Sequence, residues 1–238
     1  MLKYRHFRGI ILFEDYFKNV YKKFIYVFEF NYKGVVIMET AEYLDKLLLR
    51  YSGSFDIYQP YLINGKEYPA YGYFFSCVEK FILIREMNMW TTKSYEHILF
   101  MEAETCTEEL LAEAADIIQN YMEPVLVRKN EKWPEPNHMY SYLNIVILCN
   151  KSVDHQLEKK IRHFHFEKGY KFNIRGFSKG SIMCVSMEDR KYISNYQGRS
   201  KKELFKKVFS DVEEGKPGFA QIMKENGLTP FKQQETKQ

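Results

Sequence analysis

Three charged residues, Glu86, Lys93 and Glu96, have types and spacing that could support metal-dependent cleavage of nucleic acid. Two converging carboxylates can hold Mg²⁺, and a nearby lysine can activate water or stabilise developing charge. Nucleases of this kind carry Glu-x-Lys on one strand, whereas this chain has Glu96-His97-Ile98 with Lys93 just before it. The simpler interpretation is a pair of solvated acids at strand ends. Catalysis is therefore the alternative, and Mg²⁺ is a cofactor only under that alternative.

A second group of residues indicates binding rather than catalysis. Arg85, Glu86 and Trp90 follow one another at a predicted strand exit, and Trp133 and His138 lie in a proline-bearing connector. An indole ring buries a large area while keeping a polar N–H, so two tryptophans beside a charged pair would suit a peptide or a small ligand. The competing interpretation is that each tryptophan only fills its own loop. A shared site requires the two segments to meet at one edge of the fold.

The cysteines and histidines do not predict a metal centre. Cys77, Cys106, Cys149 and Cys184 are far apart in the chain, which favours reduced core thiols in a cytosolic protein. The His163-Phe164-His165 segment is typical of surface histidines at the carboxyl end of a helix. The chain also lacks Gly-x-x-x-x-Gly-Lys, Gly-x-Gly-x-x-Gly and Gly-x-Ser-x-Gly, which disfavours most common cofactor enzymes. No cofactor is therefore predicted.

The net charge is concentrated in the first 37 residues. They carry seven Lys/Arg and three Asp/Glu, so residues 38–238 hold 28 of each sign. A neutral body argues against strong non-specific binding to nucleic acid, which needs surplus cations to displace counterions. A protein, peptide or small ligand is thus the favoured partner. No apolar stretch approaches the ~20 residues of a bilayer span, and a cytoplasmic protein is predicted.

The segment from Lys33 to Met38 indicates that residues 1–37 are a translated leader. Lys33-Gly34-Val35 can be encoded by AAA-GGA-GTN, which contains the purine run that positions a bacterial ribosome a few codons before a methionine. We therefore expect a non-native leader or a disordered extension, with Met38 as the native start. The remaining boundaries predicted are one domain over 38–209, divisible into halves at 38–128 and 139–209, and a C-terminal helix and flexible tail over 210–238.

Apolar periodicity in the first half predicts a helix, several strands and a second helix. Thr40 is the expected cap of the first helix, and Thr105 and Glu108 have capping-box spacing before the second, which Pro124 would close. Asn64-Gly65 is a hairpin signal. The predicted strands are Ile57–Ile63, Tyr68–Ser76, Phe81–Met87 and Glu96–Glu102.

The second half repeats the mixture. Tyr140–Cys149 is apolar enough to be a central strand buried on both faces. Ser152 is expected to cap the next helix and Gly169 to end it, and Ser200 and Glu203 form a second capping box. The other elements predicted are strands at Lys171–Phe177, Ser181–Met187 and Tyr192–Tyr196, and a last helix at Pro217–Asn226.

This order predicts an α+β fold with a mixed, largely antiparallel sheet covered by helices. The apolar positions on the inward faces should form its core. They are Leu44, Leu48, Phe74, Ile82, Ile84, Leu99, Leu111, Ile118, Ile145, Ile147, Leu157, Ile161, Ile182, Val185, Leu204 and Val208.

Two resemblances follow. The order of elements from Thr40 to Cys149 resembles the restriction-endonuclease-like core, without its Glu-x-Lys signature. Trp90, the run Pro136–Tyr140, Tyr170-Lys171-Phe172 and Gly176-Phe177-Ser178 resemble an uncharacterised family of Firmicutes proteins built on a domain of unknown function. That resemblance implies a bacterial cytosolic setting and transfers no activity. We therefore favour a non-enzymatic binding or interaction domain, with the nuclease as the alternative.

Overall fold

The computed structural model describes residues 38–80 and 90–231. The predicted leader and the residues Arg85 and Glu86 lie outside this part of the chain. The strands are β1 Asp56–Tyr58, β2 Tyr61–Ile63, β3 Lys66–Tyr68, β4 Ala70–Lys80, β5 Trp90–Ala103, β6 His138–Cys149, β7 Phe166–Gly169, β8 Phe177–Ser186 and β9 Lys191–Ser194. The helices are α1 Thr40–Ser52, α2 Glu108–Asp116, a π-helix at Ile117–Val127, α3 His155–His163, a 3-10 helix at Gln197–Lys201, α4 Lys202–Glu213 and α5 Phe219–Glu225.

Seven of these strands form one mixed sheet in the order β1-β4-β5-β6-β8-β7, with β9 also paired to β8. β5, β6 and β8 run parallel, and the outer pairs are antiparallel. Parallel neighbours need a crossover, which α2 and the π-helix supply between β5 and β6, and α3 supplies before β8. The predicted α+β class is confirmed. Among the described residues, no helix has the length and apolarity to cross a membrane.

Apolar side chains fill a layer on each face of the sheet. On one face, α1, α4 and α5 pack against Phe100 and Val146. On the other, α2, the π-helix and α3 pack against Leu99 and Ile145. Every residue of β6 from Leu143 to Cys149 is buried, which confirms the predicted doubly covered strand. The predicted core residues in the described part are buried, except Phe74 and Leu204, which are half-buried, and Ile82 and Ile84 lie outside that part.

The predicted helix caps were wrong, although the helices exist. Thr107, not Thr105, caps α2, and its Oγ1 accepts from the N–H of Leu110 at 3.2 Å. Asp154 caps α3 in place of Ser152, whose hydroxyl donates instead to Glu188. Thr40 lies inside α1, and Ser200 lies in the 3-10 helix before α4. Several nearby Ser, Thr and Asp can cap a helix, and the packing of the adjoining strands decides which one does.

Pro124 does not end the second helix. The chain continues as a π-helix to Val127, and Arg128 donates its N–H to the carbonyl of Glu123, five residues back. A π-helix is wound more widely than an α-helix, which relieves the clash between a proline ring and the preceding turn. The prediction that Pro124 closes the helix was therefore wrong.

Two turns show how far local signals hold. Asn64 and Gly65 have φ of 50° and 79°, the values of the predicted hairpin turn, which joins β2 to β3. The predicted strand at Lys171–Phe177 is wrong, because Lys171, Phe172 and Asn173 have successive φ of 49°, 55° and 66°. This left-handed turn lets β7 fold back antiparallel on β8. α3 accordingly ends at His163, well before the predicted Gly169.

We expect Gly176→Ala to lower stability by about 2–4 kcal/mol. Gly176 has φ of +76°, and a Cβ there would lie 2.1 Å from the carbonyl oxygen of Met139. Thermal unfolding followed by circular dichroism measures the loss, expected at about 5–10 °C for a chain of this size. Gly53→Ala is the control, because Gly53 has φ of −65° and open space around it. Equal effects of the two substitutions would contradict the assignment of strain to Gly176.

Candidate functional site

The face of the sheet under the π-helix contains an open cleft of about 230 Å³. We call it the aromatic cleft. Strands β4 and β5 form its floor, and the end of the π-helix and the connector before β6 form its walls. Its lining residues are Tyr73, Phe75, Lys93, Tyr95, His97, Leu126, Val127, Lys129 and Glu135.

The pairing of β4 with β5 places the aromatic rings together. Alternate residues of a strand share one face, and the register puts Tyr73 opposite His97 and Phe75 opposite Tyr95. The ring centroids of these pairs are 5.4 Å and 5.1 Å apart. Phe75 is 45% exposed. The result is an aromatic surface that solvent reaches from one side.

Three charged side chains flank these rings. Lys93 forms a short ion pair with Glu135, and Lys129 lies 3.5 Å from the same carboxylate. The Tyr95 hydroxyl donates to Glu135 at 2.8 Å. The hydrogen bond from Lys93, followed by that from Tyr95, holds the pKa of Glu135 below its ordinary value despite partial burial. The two lysines and one carboxylate leave a surplus of one positive charge.

His97 is an uncharged part of the floor. It is 3% exposed, and its Nδ1 lies 2.6 Å from the Tyr71 hydroxyl. Burial lowers the pKa of His97 from 6.5 to about 3, with a smaller contribution from His138. The ring is therefore neutral at physiological pH, and it presents an apolar face rather than a cation.

His138, a predicted binding residue, packs against the Tyr95 ring of the aromatic cleft. It is buried, and its ring stacks on Tyr95 at a centroid distance of 5.9 Å. Its Nδ1 lies 2.9 Å from the carbonyl oxygen of Arg175, which only accepts, so Nδ1 carries the proton. The neutral Nε2 then accepts from Ser141 at 2.8 Å. His138 also lines a second, open cleft of about 640 Å³ between the starts of β6 and β8.

The structure places the remaining predicted binding residues as follows. Trp90 is the first residue of β5 and pairs with Lys80. Trp133 is 39% exposed in the connector and lines neither of the two clefts. The connector does meet the start of β5, where Lys93 donates its N–H to Asn137 at 2.9 Å.

Two residues of the nuclease alternative, Lys93 and Glu96, lie on different faces of β5, and the third, Glu86, lies outside the described residues. Lys93 lies in the aromatic cleft, whereas Glu96 faces the α4 side, where it accepts from Asn144 at 2.9 Å and pairs with Lys201. The two positions differ by three along the strand, an odd number, so their side chains point to opposite faces. The structure therefore does not bring Lys93 and Glu96 to one metal-binding point.

Tyr73, Tyr95 and Glu135 were missed as site residues. The signal was present as two alternations, Tyr71-x-Tyr73-x-Phe75 and Lys93-x-Tyr95-x-His97. Residues at a spacing of two share a strand face. Nothing local shows that the two rows pair, or that Glu135 folds over them.

The model of a family described as a domain of unknown function, DUF8052, matches residues 39–207. The chain belongs to this DUF8052 family. No curated protein and no solved structure matched the chain. The whole aromatic cleft, from Tyr73 to Glu135, lies inside the segment that defines the DUF8052 domain.

The buried histidines predict an acid-sensitive fold. Below pH 6.5 the unfolded chain protonates His97, whereas the folded state keeps it neutral down to about pH 3. The free energy of unfolding is therefore unaffected by His97 above pH 6.5 and declines as the pH falls from 6.5 toward about 3. His97 alone should cost about 1.4 kcal/mol per pH unit in this window. Urea unfolding at pH 7, 6 and 5 measures the slope.

His97→Asn should flatten this slope, because the amide does not titrate and its oxygen can still accept from Tyr71. Tyr71→Phe is the control, since it removes the hydrogen bond but leaves the buried imidazole and its pH dependence. A His97→Asn slope equal to that of the wild type would show that His97 does not carry the effect.

Proposed function

We propose that this DUF8052 domain is a non-enzymatic binding protein whose aromatic cleft receives a segment of a partner polypeptide. The observation that carries the proposal is the position of the cleft beside an open edge of β4. A bound strand would form main-chain hydrogen bonds along that edge, and one of its side chains would enter the cleft.

The edge of β4 is suited to adding a strand. Within residues 38–80 and 90–231, β1 is the only strand on the outer side of β4, and it pairs with Tyr71–Tyr73 alone. The next residues, Phe74–Val78, contain no charge and no proline. Soluble proteins usually protect an exposed strand edge with charged residues or proline, which this segment lacks. Phe75 and Val78 are 45% and 46% exposed, so this edge presents apolar side chains on both faces.

The charges at the cleft indicate which chemical groups the partner carries. The surplus positive charge from Lys93 and Lys129 over Glu135 favours a ligand carboxylate near the rings. The rings favour an apolar or aromatic side chain next to that carboxylate. We therefore infer an extended, acidic peptide segment. Nucleic acid is a poorer match, since residues 38–238 carry no net charge.

We also place the protein in the cytosol of a bacterium of the Firmicutes. The support is the resemblance of its sequence to proteins of that group. The described cysteines are all free, and free cysteines are typical of a reducing compartment.

The test uses a random peptide library displayed on phage, selected against the full chain. We expect enriched peptides that combine an acidic residue with an aromatic or aliphatic one. Fluorescence anisotropy with the synthetic peptides should show that Tyr95→Ala weakens binding by about tenfold or more, as removal of a central aromatic contact does. N-methylation at alternate peptide positions should also weaken binding, because it blocks main-chain pairing.

Tyr196→Ala is the matched control, since Tyr196 is 73% exposed and does not line the cleft. Equal losses for the two tyrosine variants, or no enriched peptide, would refute the proposal. The nuclease alternative has its own assay, in which duplex DNA is incubated with the protein and Mg²⁺. We expect no cleavage, whereas cleavage that Glu86→Ala abolishes would establish the alternative.

A further inference from the structure

Three cysteines that are distant in sequence meet in the core. The Sγ atoms of Cys106, Cys149 and Cys184 all lie within 4.8 Å of one another, and those of Cys149 and Cys184 are 3.8 Å apart. Each side chain is at most 2% exposed. They come from the loop before α2, the end of β6 and the last part of β8. The expectation of buried thiols holds for these three and is wrong for Cys77, which is exposed.

The spacing of the sulfurs suits one shared metal ion. Three thiolates at ~2.3 Å from a common centre lie ~3.8–4.0 Å apart for tetrahedral or trigonal angles. The pair Cys149–Cys184 already has this separation. The third sulfur can reach it through a small side-chain rotation, because the limit of 4.8 Å for the group exceeds the required distance by less than 1.1 Å.

The surroundings favour a soft cation. The three thiols lie in the apolar core under α2 and α3, which disfavours ions that need oxygen ligands or bound water. Cys106 directly precedes Thr107, the N-cap of α2, so the positive end of that helix lies next to a ligand that binds metal as an anionic thiolate.

We propose that Cys106, Cys149 and Cys184 form a binding site for a thiophilic d10 cation, and that the ion is three-coordinate Cu(I). Among the described residues, no further His, Cys, Asp or Glu joins the group. Zn²⁺ in a structural site almost always takes four ligands, whereas Cu(I) accepts three sulfurs. Binding forms Cu–S bonds and releases the thiol protons to solvent, with no change in oxidation state. The site does not depend on the proposed peptide binding.

The test is an anaerobic titration of the reduced full chain with Cu(I) against bicinchoninate, a coloured Cu(I) chelator. We expect about one equivalent bound per chain, and X-ray absorption should show three sulfur ligands at ~2.3 Å. Cys149→Ala and Cys184→Ala should each weaken binding by about 100-fold or more, exceeding the usual effect of losing a supporting residue. Cys77→Ala is the matched control and should bind as the wild type does.

Folding of the variants is checked by circular dichroism, and the wild type supplies a measurement that needs no variant. Cu(I) should raise its unfolding temperature, since an ion that binds only the folded state stabilises it. No uptake by the wild type, or a loss in Cys77→Ala alone, would overturn the proposal. A Co(II) spectrum typical of tetrahedral coordination, together with tighter binding of Zn²⁺ than of Cu(I), would also overturn it. So would the finding that Cys149 and Cys184 form a disulfide and that the reduced protein binds no metal.

Discussion

Because β6 is covered by helices on both faces and by β5 and β8 on both edges, it cannot shift without exposing apolar surface. All seven residues from Leu143 to Cys149 are buried, and a change of register by one residue would exchange the side chains between the two layers. The parallel register of β5 and β8 follows from this strand. The crossovers before and after β6 then place α2 and α3 on the same face.

A buried carboxylate, that of Glu123, fixes the position of the π-helix that forms one wall of the aromatic cleft. Glu123 is 2% exposed and accepts from Arg128 at 2.6 Å, Lys168 at 2.8 Å and Tyr170 at 3.0 Å. Burial alone would raise its pKa, but the bonds from Arg128 and Lys168 outweigh it and lower the pKa. A buried ion pair need not add stability, because the cost of desolvating its charges can exceed their attraction. Here it ties the π-helix to β7, which sets where Leu126 and Val127 meet the aromatic rings.

The two candidate sites lie at opposite ends of the same strands. His138 begins β6 beside the aromatic cleft, and Cys149 ends it in the thiol cluster. Tyr95 in the cleft pairs with Ser141, eight residues before Cys149, so roughly 25 Å of strand separates the two sites. One site is open and has charged groups, and the other is closed and apolar. A ligand at one site therefore leaves the other free, and any coupling between them would have to pass through the rigid central strands.

The sequence by itself determined the features that depend on a few adjacent residues. The alternation and apolar runs located the buried strand β6, the helical stripes gave most of the core, and Asn64-Gly65 specified its turn. These signals work because side-chain periodicity and backbone preference depend on only a few neighbouring residues. They identified an α+β fold, while the family came from the resemblance of short motifs such as Pro136–Tyr140. Only His138 and Lys93 were predicted among the residues now found at the clefts.

Tertiary structure alone decided the rest. Which residue caps α2, how the helix passes Pro124, and why Lys171–Asn173 turn back all depend on packing that overrides local preference. The cleft joins Tyr73 to Glu135, and the thiol cluster joins Cys106 to Cys184, across long stretches of sequence. Strand order and register bring such residues together. No pattern within a single segment carries that information, because each partner is specified by a different strand.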